Sequence, residues 1–348
     1  MLQATFVKHV LEFKRPSGTS RGVLTTKDTW FLILSDGINR GIGECGMFRG
    51  LSFDDRPDFE SKLQWVCQNI DLGLETLLDE LTEFPAIQTG LETAFLSLNS
   101  EDPFLLFPSE FTRAKAAIPI NGLIWMGSEG FMKEQIRDRL KEGFDCIKMK
   151  IGAIDFETEI ALLTSIRREF SSEEIELRVD ANGAFAASEA LGKLKRLNEI
   201  GIHSIEQPIQ QGQWQEMAKL CEETPLPIAL DEELIGVVST EDKLKLLDTI
   251  RPQFIILKPT LLGGFSGSDA WISMAERNGI GWWITSALES NVGLNAISQY
   301  TFTKNSKLPQ GLGTGSLFTN NIDSPLEVNK GTLSYHPDKQ WNVELFSI

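Results

Sequence analysis

The hydrophobic and polar positions of the chain change their rhythm at about residue 113. Four stretches of strand-like alternation come first, at residues 2–13, 23–26, 30–34 and near Ile42. We expect the second and third of these to form a hairpin. Two longer stretches have the apolar spacing of helices, at residues 59–81 and 87–98. Residues 1–112 are therefore predicted to form an α+β domain.

From Ala117 onward, short apolar strands alternate with amphipathic helices. One polar residue or glycine marks the carboxyl end of each strand: Asn121, Lys150, Asp180, Glu206, Asp231, Lys258, Ser286 and Gly313. Successive markers are 25 to 30 residues apart, which is the length of one βα unit in an eight-stranded barrel. A doubly wound open sheet is the alternative, but six strands are more usual there. The pattern predicts an α/β fold, a (β/α)7β TIM-like barrel over residues 113–318.

The last segment, residues 319–348, has no helical pattern. It contains two short strand-like stretches, at residues 331–335 and 342–346. We expect this tail to return to the first domain and complete it as an α+β cap.

Composition limits the partners and the compartment. The 348 residues carry a formal net charge of −16, which disfavours nucleic acid and anionic membranes but not a small anionic substrate. Four scattered cysteines suggest neither a disulfide framework nor a zinc site. The first residues lack the charged-then-apolar pattern of a signal peptide, and no apolar run reaches membrane-spanning length. These features predict a cytoplasmic protein without membrane contact, and they leave an oligomer open.

Two loops of the first domain are candidates to cover a site. Residues 15–22 combine Gly, Ser and Pro with Arg15 and Arg21, which suits either a mobile lid or a plain surface loop. Residues 45–51, with Phe48, are unusually apolar for a loop and are expected to cover something.

A strand near residue 148 carries two lysines. Lys148 and Lys150 alternate with Ile147, Met149 and Ile151, so both ammonium groups point to one face. Inner strands of α/β proteins normally have apolar faces, and buried ammonium groups need anions. An edge strand with one wet face is the other interpretation.

Three carboxylates follow at the ends of the next three strands, Asp180, Glu206 and Asp231, and Lys258 follows them. Strand ends converge at one mouth of a barrel, where three carboxylates repel each other unless a cation joins them. Oxygen ligands suit Mg²⁺. An Asp at a strand end is more often a helix cap or salt-bridge partner, but a regular series of lysines and carboxylates is hard to explain structurally. Such a site can remove a proton α to a carboxylate, with a desolvated lysine of lowered pKa as base.

This constellation resembles the enolase superfamily, in the muconate lactonizing enzyme-like branch with lysines on barrel strands two and six. The resemblance implies Asp180, Glu206 and Asp231 as ligands of Mg²⁺, with Mn²⁺ as the other choice, and Lys150 and Lys258 as catalytic residues. The mandelate racemase branch has a histidine where this chain has Ser286, so that branch does not fit.

Within the branch, three segments are similar to the o-succinylbenzoate synthase family: residues 43–52, 286–294 and 309–315. That family dehydrates the dicarboxylate 2-succinyl-6-hydroxy-2,4-cyclohexadiene-1-carboxylate to o-succinylbenzoate in menaquinone biosynthesis. The resemblance implies that Lys150 is the base and Lys258 a fixed cation. The residues expected to bind or support the substrate are Lys148, Asn182, Glu232, Ser286, Gly311, Gly313, Arg21 and Phe48.

One departure and three alternatives accompany this resemblance. Residues Asp231-Glu232-Glu233 stand where many relatives have Asp-Glu-Ser, which adds a charge. The first alternative is an N-succinylamino acid racemase that uses the same two lysines. Another racemase, epimerase or cycloisomerase of the branch is the second, although dipeptide epimerases have an Asp-x-Asp pair that this chain lacks near Gly313. A non-catalytic barrel used for binding is the third.

Overall fold

The first domain is built on a three-stranded antiparallel sheet. The computed structural model describes residues 2–19, 22–342 and 344–346. The strands are β1 (Gln3–Thr19), β2 (Gly22–Ser35) and β3 (Arg40–Cys45), in the order β1-β2-β3. β2 is one continuous strand that pairs with β1, so the hairpin predicted between residues 23–26 and 30–34 is wrong. The polar residues Lys27 and Thr29 interrupt the apolar pattern as turn residues would, but in the structure both are buried within the continuous strand.

The segment predicted as a loop at residues 15–22 belongs largely to the paired strands, because residues 15–19 lie in β1 and residue 22 lies in β2. Their pairing register shifts between Glu12 and Ser17, and Ser17 and Gly18 pair with β2 beyond that bulge. Gly18 also forms a bridge with Met126 of the second domain. A Cβ atom at Gly18 would lie 2.7 Å from the Met126 carbonyl oxygen, so this close approach requires glycine. Residues 20 and 21, which include the predicted Arg21, lie outside the described residues.

Helices cover one face of the sheet. They are α1 (Phe59–Gln68), α2 (Leu74–Asp79) and α3 (Pro85–Leu98), with a 3₁₀ turn at Ile70–Leu72. Trp30, Leu32 and Leu34 of β2 pack against apolar residues of these helices. α3 comes so close to β3 that a Cβ atom at Gly43 would lie 1.8 Å from the Gly90 carbonyl oxygen.

The second domain is a barrel of parallel strands. A seven-stranded sheet runs in chain order: β5 (Gly122–Ile124), β6 (Cys146–Lys150), β7 (Glu176–Asp180), β8 (Ser204–Glu206), β9 (Ile228–Leu230), β10 (Phe254–Leu257) and β11 (Gly281–Ile284). Residues 310–311 then close the ring, because Gln310 bridges Ile120 and Gly311 bridges Thr285, both in parallel. The predicted (β/α)7β barrel is confirmed.

The connecting helices surround the barrel. They are α4 (Glu129–Lys141), α5 (Phe156–Glu169), α6 (Ala187–Glu199), α7 (Trp214–Glu223), α8 (Thr240–Ile250), α9 (Pro259–Leu262), α10 (Gly264–Arg277) and α11 (Asn291–Thr303). α9 and α10 lie in the same connection. Within the described residues, no helix is both long enough and apolar enough to cross a bilayer.

The tail contacts both domains. β12 (Leu326–Asn329) and β13 (Thr332–Tyr335) form a small sheet with β4 (Ile118–Pro119) at the start of the barrel. Beyond it, Phe346 packs edge-on against Phe31 of β2, with ring centroids 5.1 Å apart.

Two details of the predicted tail are corrected. The strand expected at residues 342–346 is a 3₁₀ turn, Glu344–Phe346, because Phe346 inserts into the cap rather than pairing with a strand. The strand β12 was not predicted, since its alternation is short and half exposed. The boundaries 1–112, 113–318 and 319–348 stay a prediction.

Candidate active site

The strand register brings the lysines and carboxylates to one edge of the barrel. Lys150 at the end of β6 is the direct partner of Asp180 at the end of β7, and Asp180 is the partner of Glu206 at the end of β8. Asp231 and Lys258 directly follow β9 and β10. All five therefore end at the carboxyl side of the barrel, where barrel enzymes place their chemistry.

Each carboxylate contacts at least one lysine. Lys150 Nζ lies 2.7 Å from Asp180 Oδ2, and Lys148 Nζ lies 2.7 Å from Glu206 Oε2 and 3.6 Å from Asp180 Oδ2. Lys258 Nζ forms an ion pair with Asp231 Oδ2. The lysine side chains are only 8–13% exposed, so the edge-strand interpretation of β6 is wrong.

These contacts set the protonation of the site. Burial and the charge of Asp180 raise the pKa of Glu206 to about 8, against the opposing charge of Lys148. The pKa of Asp180 lies below its ordinary value because, although burial raises it, the charges of Lys150 and Lys148 outweigh burial.

Two lysines of the site have raised pKa values. Burial alone would lower the pKa of Lys258, but the charges of Asp231 and Glu206 raise it above its ordinary value. The pKa of Lys148 is raised in the same way, by Glu206 and Asp180 against burial. For Lys148 and Lys258 the attraction of the neighbouring carboxylates outweighs burial, and the lowering expected of the base stays a prediction.

The carboxylates fit a divalent cation by their chemistry. Among the described residues, no three Asp, Glu, His or Cys side chains are grouped tightly enough to form a ready-made metal cage, because lysine ammonium groups lie among the carboxylates. Glu206 Oε1, however, is buried without a hydrogen-bond partner, and its carboxyl group has a raised pKa. An all-oxygen donor set of this kind suits Mg²⁺. A bound cation would satisfy the orphaned oxygen and relieve the mutual repulsion.

Asn182 orients the end of Lys150. Its Oδ1 accepts a hydrogen bond from Lys150 Nζ at 2.8 Å, and its Nδ2 donates to Glu232 Oε1 at 3.0 Å. Its backbone N–H donates to Asp180 Oδ1 at 3.0 Å. Asn182 has a φ of +44°, a strained value that functional sites often hold.

The sequence did not reveal the role of Gln207. Its Oε1 accepts from the backbone N–H groups of Asp231 and Glu233, at 3.2 and 3.3 Å. Its Nε2 donates to Glu233 Oε2 at 3.1 Å, and Glu233 Oε1 accepts from the N–H of Gly212 at 2.7 Å. The carboxylate of Glu233, which adds a charge relative to many relatives, is therefore buried in structural hydrogen bonds that fix the turn carrying Asp231. A Gln after a strand-end Glu gives no distinctive sequence signal.

A cavity of about 410 Å³ opens beside this cluster. It is lined by most of the predicted residues: Phe48, Lys148, Lys150, Asp180, Asn182, Lys258, Ser286, Gly311 and Gly313. Residues that the sequence did not single out also line it, including Lys14, Trp125, Leu288 and Thr314. Arg15 of β1 faces it too, whereas Arg21 lies in the part of the chain that is not described.

Two predicted substrate contacts have other duties. The Ser286 hydroxyl donates its proton to Glu289 Oε2 at 2.6 Å, so it has no further proton to donate to a substrate. The N–H of Gly311 donates to the carbonyl of Ile284 at 2.8 Å, and its carbonyl accepts from the N–H of Ser286 at 3.0 Å. A Cβ atom at Gly311 would lie 1.4 Å from Thr285 Oγ1. Gly311 is thus required for closing the barrel.

Comparison with known proteins identifies the class. A family model described as Enolase C-terminal domain-like matches residues 131–339. Muconate lactonizing enzyme from Pseudomonas fluorescens, complexed with muconolactone, has the same fold at a TM-score of 0.81 and 20% identity, covering 100% of this chain and 97% of that chain. The fold and the site thus define a barrel of the enolase superfamily.

The more similar relatives narrow this class. An o-succinylbenzoate synthase from Desulfotalea psychrophila (strain LSv54 / DSM 12343) is 48% identical over 363 residues, covering 95% of this chain and 98% of that protein. The crystal structure of MenC from Desulfotalea psychrophila LSv54 aligns at a TM-score of 0.85 and 44% identity, covering 96% of this chain and 99% of that chain. The chain belongs to the o-succinylbenzoate synthase family, and with it to the carbon–oxygen lyases of the enolase superfamily.

Proposed function

We propose that this chain dehydrates 2-succinyl-6-hydroxy-2,4-cyclohexadiene-1-carboxylate to o-succinylbenzoate, a step of menaquinone biosynthesis. The observation that carries the proposal is that Lys150 and Lys258 line one cavity beside three carboxylates from adjacent strands. The similarity to the Desulfotalea psychrophila synthase over nearly the whole chain supports this choice of substrate.

Asp180, Glu206 and Asp231 would hold Mg²⁺, or Mn²⁺ in its place. When bound, the ion supplies positive charge to the ring carboxylate of the substrate as the adjacent proton leaves. Lys148, which contacts both Asp180 and Glu206, keeps these two side chains in position.

Lys150 acts as the base. In its neutral form it takes the proton from the carbon next to the ring carboxylate, and the electron pair of that bond moves toward the carboxylate. The electrons then return to the ring and expel the hydroxyl group, which takes the same proton from Lys150 and leaves as water. Asn182 fixes the direction of Lys150 Nζ through its hydrogen bond. Lys258 stabilises the negative charge that develops between the two steps.

The second carboxylate of the substrate lies toward the cap. Arg15 and Lys14 of β1 face the cavity and supply positive charge there in a chain whose net charge is −16. Phe48 and Trp125 provide apolar walls for the ring. The four cysteines are unpaired thiols, which suits a cytoplasmic setting.

The test is direct. Purified chain with Mg²⁺ and the cyclohexadiene substrate should produce the ultraviolet absorbance of an aromatic ring, and Lys150→Ala should not. Removal of divalent ions with a chelator should stop the reaction, and added Mg²⁺ should restore it. Absence of the aromatic product from the Mg²⁺-loaded wild type would overturn the proposal.

Racemisation of N-succinylamino acids is the second candidate. It requires a base on each face of the reacting carbon, and two lysines from different strands line the cavity. An N-succinylamino acid racemase from Thermus thermophilus is 35% identical over 45% of this chain and 40% of that protein. Deuterium incorporation from heavy water into each enantiomer separately would detect this activity, and its absence from both enantiomers would exclude it.

A further inference from the structure

A buried polar network joins the cap to the cavity wall. Its centre is Glu289, which follows β11 and is 1% exposed. Glu289 Oε1 accepts from the Thr260 hydroxyl at 2.6 Å. Glu289 Oε2 accepts from the Ser286 hydroxyl at 2.6 Å and from the N–H of Ala287 at 2.8 Å. Through these hydrogen bonds the Glu289 carboxylate stabilises the turn that follows β11 and links it to α9.

The cap contributes a buried cation to the same place. Lys27 of β2 is 6% exposed, and its Nζ donates to the carbonyl of Gly46 at 3.1 Å. A Cβ atom at Gly46 would lie 3.4 Å from Lys27 Nζ and 3.3 Å from Glu289 Cγ, so lysine and glutamate flank this glycine. A buried charge needs nearby opposite charges, and Lys27 has two of them beside it: Glu44 of its own domain and Glu289 of the barrel.

The turn held by Glu289 has a strained backbone. Leu288 has a φ of +63°, a conformation that branched side chains rarely adopt. Its N–H donates to Ser286 Oγ at 3.0 Å. Ala287 and Leu288 both line the cavity and pack with Phe48 of the cap. Such strain persists only where surrounding contacts over-determine it, and the Glu289 hydrogen bonds are those contacts.

A second carboxylate from the cap holds the following residues. Glu44 of β3 accepts from the Thr29 hydroxyl at 2.8 Å and from the N–H groups of Ser290 and Gly293 at 2.9 and 2.8 Å. The start of α11 is therefore fixed by the cap sheet. The turn before α11 is therefore held by Glu289, which lies beside Lys27 and Gly46 of the cap, and is followed by residues that Glu44 of the cap holds.

We propose that Glu289 and Lys27 are positioning residues, which hold the Ala287–Leu288 turn as a wall of the substrate cavity and so make substrate affinity depend on docking of the cap. The proposal rests on the proposed function only for the identity of the substrate. The hydrogen bonds of Glu289 go to Thr260, Ser286 and Ala287, and that of Lys27 goes to Gly46. We therefore expect both residues to act on binding rather than on proton transfer.

Steady-state kinetics with the cyclohexadiene substrate test this. Glu289→Gln and Lys27→Met should each raise KM by roughly tenfold and change kcat by less than about threefold, the pattern of lost uniform binding. The double variant should have a KM no higher than Glu289→Gln alone, because both changes act through one turn. Equal KM values for the wild type and both single variants would overturn the proposal.

Glu92→Gln is the matched control. Glu92 is also a buried carboxylate that joins the domains, since it accepts from the N–H groups of Phe265 and Ser266 at 2.6 and 3.2 Å. It does not line the cavity. Glu92→Gln should lower the unfolding temperature but leave KM unchanged, which separates positioning from general loss of stability.

Hydrogen exchange of the full-length chain gives a second measurement that needs no substrate. Glu289→Gln and Lys27→Met should accelerate exchange of peptides covering residues 286–290, and Glu92→Gln should not. If Glu289→Gln fails to fold, Lys27→Met decides by itself. Faster exchange together with an inactive wild type would refute the proposed substrate and support the positioning role. An active wild type with unchanged exchange in both variants would refute the positioning role.

Discussion

Asp54 should make the stability of this protein depend on pH in an unusual direction. It lies in the turn between β3 and α1, is fully buried, and accepts a hydrogen bond from the N–H of Ala86 at the start of α3, at 2.8 Å. Its Oδ1 is buried without a partner. Burial raises the pKa of Asp54 from 3.8 to about 7, despite the hydrogen bond from Ala86.

The sign follows from proton binding. Between pH 4 and 7, approximately, the folded state holds this proton more firmly than the unfolded state does. The free energy of unfolding contributed by Asp54 therefore decreases as the pH rises through this range. About three pH units at about 1.4 kcal/mol each give a loss of roughly 4 kcal/mol. Asp54→Asn keeps an acceptor for Ala86 and has no proton to lose.

Urea unfolding followed by tryptophan fluorescence can measure this difference. From pH 4 to pH 8, the wild type should lose up to about 4 kcal/mol relative to Asp54→Asn. Asp55→Asn is the neighbouring control. Burial of Asp55 opposes the change, but hydrogen bonds from Gly50 and Arg49 lower its pKa, so the wild type should lose its advantage over that variant only as the pH falls below about 4. A constant difference between wild type and Asp54→Asn from pH 4 to 8 would refute the reasoning.

Three further predictions concern the reaction. Lys150→Ala should reduce kcat by about 10²–10⁴-fold, the usual cost of a lost base, whereas Lys258→Arg keeps the charge and should retain measurable dehydration but no racemisation. Stopped assays of the dehydration product and of deuterium exchange would measure the two activities. If Lys150→Arg retained dehydration and Lys258→Arg lost it, the roles of the two lysines would have to be exchanged. Glu206→Gln should abolish tight Mg²⁺ binding in calorimetry without unfolding the chain, and unchanged Mg²⁺ affinity would remove Glu206 from the ligand set. Arg15→Ala should raise KM with little effect on kcat, because Arg15 lines the cavity from strand β1 of the cap, whereas the lysines lie on or directly after barrel strands; an unchanged KM would exclude it as a substrate contact.

The barrel was predictable because the interval between successive strand ends is nearly constant along the sequence. Each βα unit begins with a short apolar strand whose end carries a polar residue, so spacing alone located Lys150, Asp180 and Glu206, which the structure places on neighbouring strands. The closing segment was also located, since Gly311 and Gly313 keep the same interval. Regular secondary structure with a fixed period constrains position strongly.

The cap was less predictable because its polar residues are buried. Lys27 and Thr29 interrupt the apolar pattern of β2 and look like a turn, yet they serve a network that exists only when the two domains are packed together. Pro16 and Gly18 look like loop residues, but the bulge in β1 lets the strand continue past them. The lining residues Lys14 and Trp125 could not be found either, because their place at the cavity depends on how the domains meet.

The charges of the site explain why substrate and metal ion suit each other. Three ammonium groups face four carboxylates there: Lys148, Lys150, Lys258, Asp180, Glu206, Asp231 and Glu232. With Glu206 protonated, as its pKa of about 8 favours at neutral pH, the set is balanced. A divalent cation alone would add two positive charges to this buried site, and the ring carboxylate alone would add one negative charge, while the second carboxylate lies toward Lys14 and Arg15. Each is costly by itself, but the cation, the ring carboxylate and the negative charge that Glu206 gains when it releases its proton on coordination together leave the site balanced. The electrostatics therefore favour joint occupancy of the cavity by metal ion and dicarboxylate, which is the state that the proposed dehydration requires.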